Sequence, residues 1–285
     1  MLRVNARLCP ILGAALLGLT LALAPGAAAR AQTTDLVDRS ALRVCADPAN
    51  MPFSNDRRQG YENKLADLLG KKLGIPVLYT WFPQATGFIR NTLRARKCDI
   101  VMGYAQGQEL VQNTNHYYRS AYVLIHRKDS DLAGVTTLGD PRLKGRRIGI
   151  IAGTPPATVL ALNGLIAKAK PFPLVVDRRY SAPAEDMIAE IVAKKLDAGI
   201  LWGPMGGYYA MKSETPLTVV PLVHETSGPR MAYRITMGIR PNEPDWKHQL
   251  NNFIRKNQDE INRILLSFGV PLLDEKDQLI AGNTQ

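Results

Sequence analysis

Four histidines, His116, His126, His224 and His248, are the first residues to test for chemistry, and their spacing does not suit it. No HxH or HExxH pair and no cysteine pair stands beside any of them. They therefore read as surface or core histidines rather than as ligands of a metal. No GxSxG elbow, GxGxxG fingerprint or Walker loop occurs, which leaves nucleophilic hydrolysis, dinucleotide binding and nucleotide hydrolysis without support. Gly153-Thr154 stands before a proline pair and could hold an anion on the free N–H groups of a helix start. The simpler reading makes Thr154 an ordinary N-cap. What remains is aromatic: a short apolar run, Ala198 to Leu201, empties into Trp202, a Gly/Pro segment and the pair Tyr208 and Tyr209. Such rings serve either as packing or as contacts to a partner.

The elements that must position these residues begin after a leader. Arg3 and Arg7 precede an apolar run from Ile11 to Ala24, and an alanine-rich stretch ends at Ala31. That is the order of a cleavable secretory signal over residues 1–31, so export to the periplasm is expected. The run is short for a bilayer span, and no later segment approaches 18 apolar residues, so no membrane span is expected. Cys9 lies ahead of the apolar run, where a lipoprotein anchor would not use it. Of 36 basic and 25 acidic residues, the signal carries three arginines, leaving a net charge of +8 on the exported chain. The basic residues are dispersed, which argues against a nucleic-acid arm and for a solvated exterior or attraction to an acidic protein. Cys45 and Cys98 remain, and an even pair in an oxidising compartment favours a disulfide over two free thiols.

Strand and helix patterns alternate twice. Leu42 to Ala46, Pro76 to Phe82 and Asp99 to Gly103 read as strands, with helices at Tyr61–Leu73 and around Phe88 to Leu93. The pattern restarts at Arg147 to Ile151, with a helix opening at Pro155-Pro156, a strand at Leu174-Val175-Val176, a helix from Pro183 to Leu196 and a strand at Ala198 to Leu201. Tyr233 to Ile239 is a last strand. One long helix follows, with Trp246, Leu250, Phe253, Ile254, Ile261, Ile264, Leu265 and Phe268 on a single stripe, closed by Gly269. Crossings around Tyr122–His126 and Arg230–Arg234 give two lobes: 32–125, joined by the returning 229–285, and 126–228. The expected fold class is α/β, two-lobed, with sheets flanked by helices and a ligand cleft between the lobes.

The order LRVCADPANMPFS, GYENKLADLLGKKLG, CDIVMGYAQGQE and RIGIIAGTPP resembles the periplasmic solute-binding proteins of the amino-acid-receptor type, over essentially the whole exported chain. Two departures stand out. Leu110 falls where the receptors carry an arginine that clamps the ligand carboxylate, and Trp202-Gly203-Pro204 falls where they carry an aspartate for the ammonium. CADPANMPFSN, CDIVMGY and ILWGPMGGYYA are closer to one branch, the quinoprotein-dehydrogenase-associated group of MxaJ and XoxJ. That resemblance implies a non-catalytic periplasmic accessory of a pyrroloquinoline-quinone (PQQ) methanol dehydrogenase, of the lanthanide or the calcium type, assisting its maturation or activation by direct contact with the enzyme or its cytochrome c. It implies no cofactor of the chain's own.

Two other readings remain beside it: a receptor of an ABC importer for a small, uncharged or aromatic solute, and a dehydratase of prephenate-like acids with Glu109 as acid. The second lacks an arginine beside Glu109. Residues at the carboxyl ends of the strands are the candidate cleft: Asp47, Met51, Phe53, Tyr104, Gln106, Thr154 and Trp202. The cleft they outline is expected to be apolar and aromatic, without paired charges.

Overall fold

Alternating strand and helix patterns dictate the element order, and the computed structural model shows how they stack. It describes residues 35–280, so the expected signal over 1–31 lies outside the described residues. The first stretch forms β1 (Leu42–Ala46), β2 (Ala49–Asn50), β3 (Ser54–Asn55), α1 (Tyr61–Leu73), β4 (Val77–Trp81), α2 (Phe88–Asn91), β5 (Ile100–Ala105) and the long β6 (Gln112–Arg127). The second gives β7 (Ile148–Ile151), α3 (Pro155–Leu162), β8 (Lys170–Phe172), α4 (Pro183–Val192), β9 (Ala198–Trp202), α5 (Gly203–Met211) and β10 (Leu217–Pro221). The chain closes with β11 (Ala232–Ile239), α6 (Pro244–Lys256) and α7 (Gln258–Ser267).

Nine strands join in one mixed sheet, ordered β4-β1-β5-β11-β6-β9-β7-β8, with β10 paired to β6 off that path, and β2 and β3 pair separately as an antiparallel ribbon. Two parallel triplets, β4-β1-β5 and β9-β7-β8, flank the antiparallel β11 and β6. β6 changes neighbours along its length: Gln112–Ala121 pairs with β11, whereas Tyr122–Arg127 lies between β9 and β10. The buried apolar side chains divide at the same place. Leu42 to Tyr118 and Ile235 to Leu272 build one set, and Val123 to Met231 the other. Cys45 of β1 and Cys98 ahead of β5 are bridged, their Cα atoms 5.4 Å apart.

The amino end of β5 carries a buried ion cluster remote from any cleft. The Asp99 carboxylate accepts two hydrogen bonds of 2.7 Å from Arg43 and one of 2.6 Å from Arg240, and Arg240 also donates to Glu243. Pairing with the two arginines offsets the cost of burying the Asp99 carboxylate.

The local reading needs four corrections. The single carboxyl-terminal helix is two, broken at Asn257, whose side chain donates to the Phe253 carbonyl at 2.7 Å and competes with the helical ladder. The strand expected at Leu174–Val176 lies earlier, at Lys170–Phe172, where the Phe172 carbonyl accepts from Ala152 N–H at 2.9 Å and both Pro171 and Pro173 turn their nitrogens to the free edge. The helix from Pro183 ends at Val192, and Lys194 takes a positive φ of 59° in the turn that follows. The Gly/Pro stretch after Trp202 is a helix, α5, despite its glycines. A Cβ at Gly207 would lie 1.9 Å from the Gly269 carbonyl oxygen, and one at Gly203 would lie 2.4 Å from that of Ala121. Close packing, not helix propensity, sets those residues.

Candidate functional site

Strands β1, β7 and β9 end at a cleft. On one wall, the loop after β1 presents Pro48, Met51 and Asn55. On the other, the loop before α4, the start of α4 and the face of α5 present Arg178, Glu185, Met205 and Tyr209, enclosing about 330 Å³. A smaller apolar hollow of about 100 Å³ adjoins it, lined by Ile151, Thr154, Leu174, Val176, Trp202 and Met205 among others. Arg178, Pro183, Ala184 and Met205 border both. The Tyr209 hydroxyl reaches the Met51 carbonyl across the larger space at 3.5 Å, the outer limit of a hydrogen bond.

Of the seven candidates, the structure brings Met51, Thr154 and Trp202 to these connected hollows. Trp202 forms a three-ring cluster with Tyr122 and Tyr233, with centroids 5.4 and 5.8 Å away and steeply tilted planes. Its indole therefore packs the strand crossing and walls the small hollow at once. Thr154 sits at the N-cap position of α3, but its hydroxyl donates to the Ile151 carbonyl at 2.6 Å instead of capping the helix.

The other four lie elsewhere. Asp47 is buried, and its two carboxylate oxygens accept from the backbone N–H groups of Ala49 and Gln84 at 2.9 and 2.7 Å, so it shapes the loop after β1. Phe53 packs on the Tyr61 ring at 5.4 Å, within the first core. Tyr104 leans on the cluster around the disulfide. Gln106 borders a separate depression near Asn113 and Asn251, against α6. Leu110, which the resemblance sets against the receptors' arginine, is 49% exposed on its loop.

Two charged residues outside that set matter more. Arg178 takes part in none of the described ion pairs. Burial pulls its guanidinium down from the usual range, and the nearby Asp47 carboxylate opposes that shift. It belongs to the run Asp177-Arg178-Arg179-Tyr180, which reads in sequence as ordinary solvated charge. Glu62, on the first turn of α1, is 8% exposed, and no described hydrogen bond reaches its carboxyl group. Burial first, and the Asp47 charge second, push it up to about 8. Nothing in its sequence neighbourhood announces this, since an acid at a helix start is commonplace. Burial also pushes Tyr122 and Tyr209 up to about 12, so both phenols stay neutral. The site thus offers an apolar wall, a small hollow and two arginines, Arg57 and Arg178, that take part in no described ion pair, with the Asp56 and Glu185 carboxylates on the same lining.

This mixed sheet, flanked by helices and opening at its strand ends, defines a periplasmic binding-protein fold of the two-lobed type. The chain belongs to the bacterial extracellular solute-binding proteins, family 3, whose model matches residues 42–268. Among solved structures it is similar to the periplasmic binding protein XoxJ from Methylobacterium extorquens AM1. That likeness has 43% identity and a TM-score of 0.71, covering 82% of this chain and 100% of that one. It is also similar to MxaJ from Methlophaga aminisulfidivorans, with 25% identity and a TM-score of 0.70, over 81% of this chain and 100% of that one. A curated relative, protein MoxJ of Methylorubrum extorquens, is 29% identical over 253 residues, 83% of each chain.

Proposed function

We propose that the protein is a non-catalytic periplasmic accessory of a PQQ-dependent methanol dehydrogenase, in which a solute-binding scaffold has been turned to protein contact. The observation that carries this reading is the replacement of both ionic anchors of an amino-acid receptor. The residue in the arginine's place, Leu110, is exposed on its loop, and Trp202, in the aspartate's place, is built into an aromatic cluster. The likeness to MoxJ, MxaJ and XoxJ supports the same partner. In this reading the protein docks on the dehydrogenase, lanthanide or calcium type, or on its cytochrome c, and helps the enzyme mature. The expected lobes, 32–125 with 229–285 and 126–228, belong to this proposal, although Val123, Leu124 and Ile125 pack with the second set of core residues.

Arg178 favours a second reading, the receptor of an ABC importer, though for a small acid and not the uncharged or aromatic solute expected from the sequence, because a half-buried unpaired guanidinium is a natural carboxylate partner. Cross-linking and co-purification from the periplasm of methanol-grown cells separates the two. Recovery of the dehydrogenase or its cytochrome is expected, strongest at low salt where a basic protein attracts acidic partners. Recovery of neither, together with a sharp rise in melting temperature on adding a small acid, would favour the receptor.

A further inference from the structure

The loop from Pro173 to Ala182, between β8 and α4, turns apolar side chains outward. Leu174 is 50%, Val175 72% and Tyr180 84% exposed, three large apolar groups within seven residues. Single exposed hydrophobics need no explanation, but a cluster beside a cavity marks a contact site. Exposed local contacts shape its tip. Asp177 accepts from the Arg179 guanidinium at 2.6 and 2.9 Å and from its backbone N–H at 3.1 Å. Arg179 in turn lies over the Tyr180 ring, 5.4 Å from its centroid.

Behind this tip, Leu174 and Val176 help line the hollow of about 100 Å³ beside Trp202 and Met205. An apolar cavity of about 150 Å³ takes up a benzene ring, so this one has room for a single side chain. The Thr154 hydroxyl inside it already donates to the Ile151 carbonyl. Arg178 stands at the rim, unpaired, while its neighbour Arg179 is occupied by Asp177.

We propose that the Pro173–Ala182 loop docks an acidic segment of the protein partner, placing one apolar side chain in the hollow walled by Leu174, Val176, Trp202 and Met205 and an adjacent carboxylate on Arg178. The inference rests on the accessory reading above. A buried apolar anchor with a charge pair at its edge is the usual build of a binding hot spot. The hollow's size and the outward Val175 and Tyr180 favour a polypeptide over a free metabolite, which would not need the exposed tip.

The test measures binding of the full exported chain to the purified holo-dehydrogenase, for the wild type, Arg178→Glu, Arg178→Lys and the double variant Val175→Ser/Tyr180→Ser. Val175 and Tyr180 are exposed enough that their replacement leaves the fold intact, which circular dichroism checks. The Kd is expected to rise about tenfold or more for Arg178→Glu and for the double variant. For Arg178→Lys it rises less, and added salt weakens the wild type most. Wild-type binding matched by both the charge-reversed and the double variant overturns the docking site and leaves the accessory reading standing. No wild-type binding at low salt overturns both. Saturable binding of free benzoate or acetate that Arg178→Glu abolishes, with dehydrogenase binding unchanged, overturns the docking site in favour of a small-acid pocket.

Discussion

Glu62 shows how one buried residue couples this fold to pH. Its carboxyl group is packed so closely against Gly103 that a Cβ there would lie 2.1 Å from Oε1, and Asp47, Tyr61, Tyr117 and Tyr118 surround it. A carboxyl group without partners favours its neutral form in such a place. The folded value, about 8, lies above the ordinary 4.5. The stabilisation from the neutral group is therefore complete below pH 4.5 and is lost as pH rises towards 8, at about 1.4 kcal/mol for each unit between. Glu62→Gln should raise stability at pH 7 by about 1–3 kcal/mol and flatten its fall between pH 5 and 8. Urea midpoints taken across that range check it, and a variant with an unchanged pH profile would show that Glu62 is ionised in the fold.

At the scale of elements, α5 is the clearest case of packing overriding propensity. Glycines at 203, 206 and 207 should weaken a helix by about 1 kcal/mol each. Yet the helix forms, because Gly207 meets Gly269, which has a φ of 70° in the turn after α7. This contact ties the second triplet of strands to the carboxyl-terminal helices. Gly207→Ala should cost about 2 kcal/mol or more, since an added methyl has no space beside a backbone carbonyl. The measurement is the thermal or denaturant midpoint, and loss of the native near-ultraviolet spectrum would mark a wider rearrangement. The same lesson applies to Leu174–Val176. This apolar run reads as a strand, but the ladder with β7 ends at Phe172, leaving Leu174 and Val176 to wall a hollow and Val175 exposed.

For the whole molecule, the 53-residue separation between Cys45 and Cys98 decides what the disulfide is worth. It joins β1 to the start of β5, the middle of the first parallel triplet, and closing a loop of that length restricts the unfolded chain. Replacing both cysteines with serine should lower stability by about 2–4 kcal/mol. Reduction of the wild type should give a similar shift in the urea midpoint, and equal midpoints for oxidised and reduced protein would refute this. The long β6 has the complementary role. By exchanging β11 for β9 and β10 at Tyr122, it carries one unbroken strand between the two cores.

The sequence alone determined the α/β alternation, the family, the bridge between Cys45 and Cys98 and the place of Met51, Thr154 and Trp202 near strand ends. Each rests on local periodicity, cysteine parity or an ordered set of short motifs. Only the tertiary structure decided which charges are buried without a partner. Arg178 and Glu62 are set by how far burial leaves them without partners, and that depends on Asp47 and Gly103, remote from one or both in the chain. Asp47 and Gln106 lie off the hollows for the same kind of reason: one is absorbed by two backbone N–H groups, and the other is turned towards α6. Periodicity reports which face of an element is buried; it carries no information about which polar group is left unpaired when distant faces meet.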